Sequence, residues 1–488
     1  MTSDVAEHQL SAADKALTAG AFDQAIEAYE SVLSIQPDHL GALRGITQAL
    51  RHFNRNDRVV ALFQAAATSA PSDVEILTSL VESLIANGQV EEARAQGQAA
   101  LGFHPDAIAL RLLLAHTDMI GGDRKAARKI FWDVLEQDPE NADCAYHLAD
   151  IAPQEELDRL STALAPMWLH RTTRESWDAA TLGYAYGKTA QRQGGVEKAW
   201  KGFSFGAQQK RSIIRYDESQ MIRIHNGNRY TFSSKTPSPD EASRPGLGFI
   251  FIASLPRSGS TLVEQILDAH ASVRAIGERS FVVDAMNYWQ KTHGPDPARL
   301  FSAEAISDTR AFYADKARAA AGDSSRVIVD KSITNYIFLG FLRILMPGAR
   351  FLHVTRDPLD IAVSCFTTLF AGGNEWTYDL EEMGRNIRRQ QELMGYWKEQ
   401  WPNDILTVNY EKLVEAPETE TRKILSYCGL DWDMACLDFH QSQQPVLTAS
   451  MHQVRQPIYQ TAKGRAANYR GFLKPLITAM GRVGTQGT

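Results

Sequence analysis

Over the first 150 or so residues, small, apolar and turn-forming positions recur with a period of 34. Pro37, Pro71, Pro105 and Pro139 keep one register with Gly20, Asn54, Gly88 and Gly122, with Ala25, Val59, Ala93 and Ala127, and with Leu33, Ala67, Leu101 and Leu135. Each period predicts two helices: a small residue lets them approach closely, Gly or Asn suits the turn between them, and Pro ends the second. A degenerate copy follows, with Leu182-Gly183-Tyr184-Ala185-Tyr186-Gly187 ahead of Gly194-Gly195-Val196-Glu197-Lys198-Ala199-Trp200. The stretch from Ser233 to Gly246 is rich in Ser, Pro and Lys, lacks periodicity and reads as a linker. Beyond it, apolar runs at 248–254, 326–329, 350–354 and 405–408 each precede a polar turn and a longer amphipathic segment. That alternation predicts a parallel sheet with crossover helices. The expected organisation is a helical solenoid over 1–215, a linker over 216–246 and an α/β domain over 247–488.

Composition narrows the function classes. At 488 residues, with 44% hydrophobic and 22% charged positions, the chain has room for two or three domains with proper cores. Cys144, Cys365, Cys428 and Cys436 show no C-x-x-C spacing, and the first 30 residues lack the form of a signal peptide, so a reducing, cytoplasmic setting is expected. No apolar run reaches the roughly 18 to 20 residues of a membrane span. A net charge of -7 argues against general affinity for nucleic acid. Any anion site must therefore be local. One bias fits that: from Gln441 to Thr488 there is no Asp or Glu, while Arg455, Lys463, Arg465, Arg470, Lys474 and Arg482 are present.

Ligands of open parallel sheets bind at the carboxyl ends of the strands, and four such ends stand out. The first is Pro256-Arg257-Ser258-Gly259-Ser260-Thr261, between an apolar run and a helical pattern, where backbone N–H groups and a helix dipole would face an anion. Set against G-x-x-x-x-G-K-[ST], it has Ser254 at the first Gly and Ser260 at the Lys, so it suits phosphate but not an ordinary Mg-ATP site. The others are Asp330-Lys331-Ser332, Thr355-Arg356-Asp357-Pro358 and Asn409-Tyr410-Glu411-Lys412. Arg356 precedes Ser364 by eight residues, about two helical turns, which lets both face one anion. An Arg fork with a Ser hydroxyl suits a phosphate monoester.

These residues carry two resemblances. Residues 5 to 150 resemble the tetratricopeptide family. Residues from about 247 to 475 resemble the PAPS-dependent sulfotransferases, within them the branch of the tyrosylprotein sulfotransferases and their bacterial relatives. The resemblance implies a tetratricopeptide α-solenoid followed by a P-loop-like, three-layer α/β sulfotransferase domain with a parallel sheet. It implies PAPS as co-substrate and PAP as product, with no metal required. Arg257, Ser258, Gly259, Ser260 and Thr261 would form the 5'-phosphosulfate loop, and Arg356 with Ser364 the 3'-phosphate site. Ile276-Gly277-Glu278 would carry the catalytic carboxylate, and Asp330-Lys331 a catalytic lysine. Tyr410 would contact the nucleotide, and Ser450-Met451-His452-Gln453-Val454 with Arg465 would close on it. Two positions depart from the pattern: Thr368 stands where the tyrosylprotein enzymes have a second arginine, and Arg465 where they have a lysine.

The chemistry supports the same set. Sulfuryl transfer, by analogy with phosphoryl transfer, passes in line through a loose state, so catalysis is positioning and stabilisation of the departing phosphate. Arg257, Lys331 and the loop N–H groups would replace a metal, and Glu278 would take the acceptor's hydroxyl proton. A protein or peptide tyrosine, recruited by the concave face of the solenoid, is the first expectation for the acceptor. Two other readings stand beside this one. Asp330 at the end of an apolar run has the look of a Walker B carboxylate, which suits a P-loop nucleotide or small-molecule kinase. A tetratricopeptide adaptor with an inactive second domain is the other. The segment from about 245 to 488 is expected to fold alone.

Overall fold

The computed structural model describes residues 2–52, 55–233, 244–294, 296–322, 327–441, 458 and 463–481. They divide into two compact units, residues 1–156 and a second unit beginning at Leu157. In the first, α1 (Thr2–Thr18) pairs with α2 (Phe22–Ile35), α3 (Leu40–His52) with α4 (Asn56–Ser69), α5 (Val74–Ala86) with α6 (Val90–Phe103) and α7 (Ile108–Gly121) with α8 (Arg124–Gln137), and α9 (Ala142–Ile151) follows. The period seen in the sequence is the period of these pairs. Ala25, Ala93 and Ala127 are fully buried and Val59 almost so, at the start of each second helix, where only a small side chain fits between neighbours. Gly20, Gly88 and Gly122 sit in the left-handed turns between paired helices.

The second unit opens with α10 (Leu157–Leu169), α11 (Ser176–Arg192), α12 (Val196–Ile213) and α13 (Glu218–Thr231). Glycine sets the α11–α12 hairpin: a Cβ on Gly183 would lie 2.6 Å from the Cα of Gly206, so the two backbones touch with no room for a methyl. Then come β1 (Phe249–Ala253), α14 (Ser260–Asp268), β2 (Val273–Ala275), α15 (Phe281–His293), the short α16 (Pro297–Leu300), α17 (Ala303–Ala321), β3 (Val327–Lys331), α18 (Asn335–Leu345), β4 (Arg350–Thr355), α19 (Pro358–Phe366), α20 (Leu380–Gln400), β5 (Ile405–Asn409), α21 (Tyr410–Glu415) and α22 (Pro417–Cys428). The strands form one parallel sheet in the order β2-β3-β1-β4-β5. All five residues of β1 are buried, as a central strand covered on both faces requires. Phe249, Phe251, Ile328 and Phe351 meet Tyr313, Phe341 and Trp397 in the main core. Among the described residues no helix is long and apolar enough to cross a membrane.

The division at 156/157 differs from the expected boundaries. Residues 157–215, read as solenoid, pack with the sheet-bearing unit, and part of the stretch read as a linker is α13. The causes lie far along the chain. Trp200 stacks on Phe366 and Phe472 at 4.8 and 5.0 Å. Arg211 grips Glu382 through two hydrogen bonds, Glu218 receives Arg385 and Arg389, and Phe232 is only 2% exposed in the main core. A fragment starting at 245 therefore lacks part of its own core, and the expectation that it folds alone is withdrawn. A fragment starting at Leu157 should unfold in one cooperative denaturant transition. One starting at 245 should be less stable by more than the roughly 3–5 kcal/mol that loss of a buried Phe costs. Equal midpoints for the two would refute the assignment of α11–α13 to this unit.

Candidate functional site

Strand β1 lies at the centre of the sheet, with β3 on one side and β4 on the other; the chain leaves β1 toward the β2 edge and leaves β4 toward the β5 edge, so the connections diverge between β1 and β4. A crevice at such a point, beyond the carboxyl ends of the strands, is where open α/β sheets take their ligands. The chain turns there from β1 into α14 through 254–259. Arg257 takes a left-handed φ of 65°, uncommon for a residue with a side chain. Gly259 has φ 98°, and a Cβ there would lie 2.4 Å from the ring of Tyr410, so the loop and the residue after β5 fit only because position 259 has no side chain. Ser258, Ser260 and Thr261 are buried, and the first turn of α14 holds no acidic residue to oppose an anion at its N-terminus.

On the β3 side stands Lys331, 1% exposed, with its ammonium 2.7 Å from Oε1 of Glu278, 3.3 Å from Oε2 of Glu264 and 3.5 Å from Oγ1 of Thr261. Burial opposes its charge, but the two carboxylates outweigh burial and hold its pKa above the ordinary lysine value. Glu264, almost wholly buried on α14, has its pKa raised by burial, against the pull of Lys331. Glu278 follows β2 and the left-handed Gly277, and at 42% side-chain exposure it faces both the lysine and solvent. Asp330, one residue before Lys331, points to the opposite face of the sheet. Its carboxylate accepts from the Tyr313 hydroxyl at 2.8 Å and the Asn335 amide at 3.1 Å, and burial pushes its pKa up to about 6. That placement takes Asp330 away from the loop and removes the main support for a Walker B role.

On the β4 and β5 side, the Arg257 Nε donates to Oγ of Ser364, on α19, at 2.9 Å. Arg356 donates to the Arg257 carbonyl at 3.0 Å, and its guanidinium lies 4.8 Å over the ring of Tyr410. Arg356 and Ser364 thus both contact Arg257. Asp357 caps α19 by accepting from the backbone of Leu359 and Asp360. Beside Arg356 opens a cleft of ≈ 660 Å³, lined also by Asp360, Asn409, Glu411, Lys463 and Arg470.

Two residues escaped the sequence reading. Glu264 sits three residues after Thr261 on α14, on the same helical face, and that spacing was the available signal. Asp360 is buried and accepts the backbone N–H groups of Gly464 and Ala466 at 2.7 and 2.8 Å, which pins this part of the carboxylate-free tail beside Arg356. Arg465 between them donates to Gln191 of α11 at 3.3 Å. Ser450 and the segment 450–454 lie outside the described residues. Thr368 donates to the Ser364 carbonyl at 2.7 Å.

Comparison with known proteins agrees with this architecture. The sulfotransferase family model matches residues 250–434, and two tetratricopeptide repeat models match 16–75 and 48–108. An uncharacterized protein of Aquifex aeolicus is 26% identical over 448 residues, 88% of this chain and 53% of its own length, so the chain spans about half of that relative. A putative protein-tyrosine sulfotransferase of Caenorhabditis briggsae is 25% identical over 194 residues, 39% of this chain and 69% of its own. Among solved structures, the sulfotransferase domain from the Synechococcus PCC 7002 olefin synthase aligns with 48% of this chain and 91% of its own, at 22% identity and a TM-score of 0.33. The chain carries tetratricopeptide repeats at its N-terminal side, followed by a domain of the sulfotransferase family.

Proposed function

We propose that this chain transfers a sulfuryl group from PAPS to a hydroxyl acceptor, with a protein or peptide tyrosine as first candidate. One observation carries the reading: the loop 257–261 lies between a lysine–carboxylate arm on the β3 side and an Arg–Ser–Tyr arm on the β4 side. A nucleotide with phosphates at both ends of its ribose needs two such arms, and the donors fit it. Arg257 and the loop N–H groups would hold the 5' end; Arg356 and Ser364, the 3'-phosphate; Tyr410 adds an aromatic wall. Bound PAPS supplies the sulfuryl group and leaves as PAP. Glu278 takes the hydroxyl proton of the acceptor. Its charge is then cancelled, and Lys331 is free to act on the departing phosphate beside Thr261. Ser450 and Arg465 remain candidates for closing over the nucleotide. A tyrosine acceptor agrees with the name of the Caenorhabditis briggsae relative, a putative protein-tyrosine sulfotransferase, and the repeats are the surface that recruits it. The four scattered thiols suggest a reducing, cytoplasmic setting.

Calorimetry with PAP in EDTA tests the reading, since its cations need no metal. Binding should survive EDTA, and binding seen only after Mg²⁺ is restored would favour the kinase alternative. Arg356→Ala should weaken PAP by roughly 10- to 100-fold, the worth of hydrogen bonds to a charged group. Adenosine 5'-phosphosulfate, which lacks the 3'-phosphate, should lose less, with a residual loss from the freed Arg257 carbonyl. Equal losses for the two ligands would place Arg356 elsewhere.

A further inference from the structure

The repeat unit holds a second cluster of ligand-type side chains, remote in sequence from the sulfotransferase residues. His116 on α7 and His147 on α9 face each other with their Nε2 atoms 2.9 Å apart. Asp143, one helical turn before His147, brings one carboxylate oxygen within 3.5 Å of the His147 Nε2 and the other within 3.9 Å of the His116 Nε2. We propose that His116, Asp143 and His147 bind a divalent transition-metal ion of the zinc type, through two imidazole nitrogens and one carboxylate oxygen, with the fourth position open to solvent.

The distances favour this occupant. Nitrogen and oxygen ligands about 2.0–2.1 Å from a tetrahedral zinc lie about 3.4 Å from each other. The two imidazole nitrogens lie 2.9 Å apart, and their nearest carboxylate oxygens, one from each side of the Asp143 carboxylate, lie 3.5 and 3.9 Å away, so a turn of that carboxylate toward a single oxygen and about half an ångström of spreading between the rings brings the three ligands to that edge. Residues i and i+4 share one face of a helix, as in helical zinc motifs with two ligands at that spacing. The third ligand comes from the preceding helix pair, so the metal would tie two consecutive repeats together. The His147 ring is already fixed: it stacks on Phe131 at 5.0 Å and meets Tyr146 edge-on at 5.3 Å. Two imidazoles with one carboxylate select a borderline cation over Mg²⁺ or Ca²⁺, which take oxygen ligands. With side-chain exposures of 31%, 18% and 47% for His116, His147 and Asp143, an ion can enter and a water or an incoming donor can complete the shell.

The full chain, stripped of metal by EDTA and dialysed, should bind one equivalent of Zn²⁺ in competition with a chromogenic chelator. His116→Gln and His147→Gln should each weaken that binding by more than the roughly 10- to 100-fold that loss of an outer-shell partner costs. His8→Gln, an exposed control, should leave it unchanged. Matching circular dichroism of the metal-free variants and parent would show that the fold is intact. X-ray absorption of the zinc-loaded parent should report two imidazoles and no sulfur. A parent that holds Zn²⁺ no more tightly than the His116→Gln/His147→Gln double variant, or a zinc bound through sulfur, would overturn the proposal.

Discussion

Glu278→Gln should lower sulfuryl transfer by roughly 10² to 10⁴, the usual contribution of a positioned general base. The amide keeps the shape of the carboxylate and still offers an oxygen to the Lys331 ammonium, which now sits 2.7 Å from Glu278. It cannot take a proton. An acceptor phenol with an ordinary pKa near 10 would then lose its proton to water or not at all. PAP affinity should hardly move, because the contacts given to PAP are made by the loop itself and by Arg356 and Ser364, which meet Arg257 on the side away from Glu278. Single-turnover transfer from labelled PAPS, followed with PAP titrations, separates rate from binding. If the variant turns over like the parent on its true acceptor, another residue is the base and the role given to Glu278 is wrong.

Lys331→Met should do two things at once. Transfer should fall, with some loss of PAP affinity, because the lysine's charge acts on the phosphate in the bound ground state as well as at the transition state. The fold should also weaken, by about 3–5 kcal/mol at neutral pH, the cost of leaving a buried charge without its partner. That charge is Glu264, 4% exposed, whose Oε1 already has no hydrogen-bond partner among the described residues. The pH dependence has a definite sign. Burial raises the Glu264 pKa in the folded protein above its unfolded value, and without Lys331 it rises further. Between the two pKa values the folded state holds the proton more tightly, so stability is lost as the pH rises through this window and recovered as it falls. Urea unfolding at pH 7.5 and 5 should show the variant's deficit shrinking in acid. Adding Glu264→Gln should restore much of the stability without restoring transfer. A variant as stable as the parent at pH 7.5, or no rescue by Glu264→Gln, would mean that the ion pair does not carry this load.

The parts of this architecture that repeat or sit at a strand end were legible in the sequence. The 34-residue period was visible because close helix pairs demand a small residue at one fixed place, as at Ala25, Ala93 and Ala127. The alternation of apolar runs and amphipathic segments gave the parallel sheet, although β2 is three residues long and formed no recognisable run. Which of two neighbouring residues faces the loop was not legible. Asp330 and Lys331 are adjacent and both chemically suggestive, and only the pleat of β3 sends one to Tyr313 and the other to Thr261. The extent of the sheet-bearing unit was also hidden. Residues 175–210 have a repeat-like glycine pattern because α11 and α12 do cross closely, but what fixes their allegiance is contact with Phe366, Glu382 and Phe472, more than 150 residues away. No local pattern encodes such a contact.

The same long reach shapes how the chain is made. Contacts within each helix pair of the repeats join residues close in sequence, so a pair can form as soon as it leaves the ribosome. The α11–α12 hairpin can form just as early, yet Trp200 then waits for partners not yet synthesised, and Gln191 meets the Tyr469 hydroxyl across 278 residues. At about 5–20 residues per second, the last of these partners arrives roughly a quarter of a minute to a minute later, and until then the aromatic face around Trp200 is incompletely covered. Nascent chains stalled before residue 463 should therefore expose Trp200 to chaperones and proteases, while their repeats are already native.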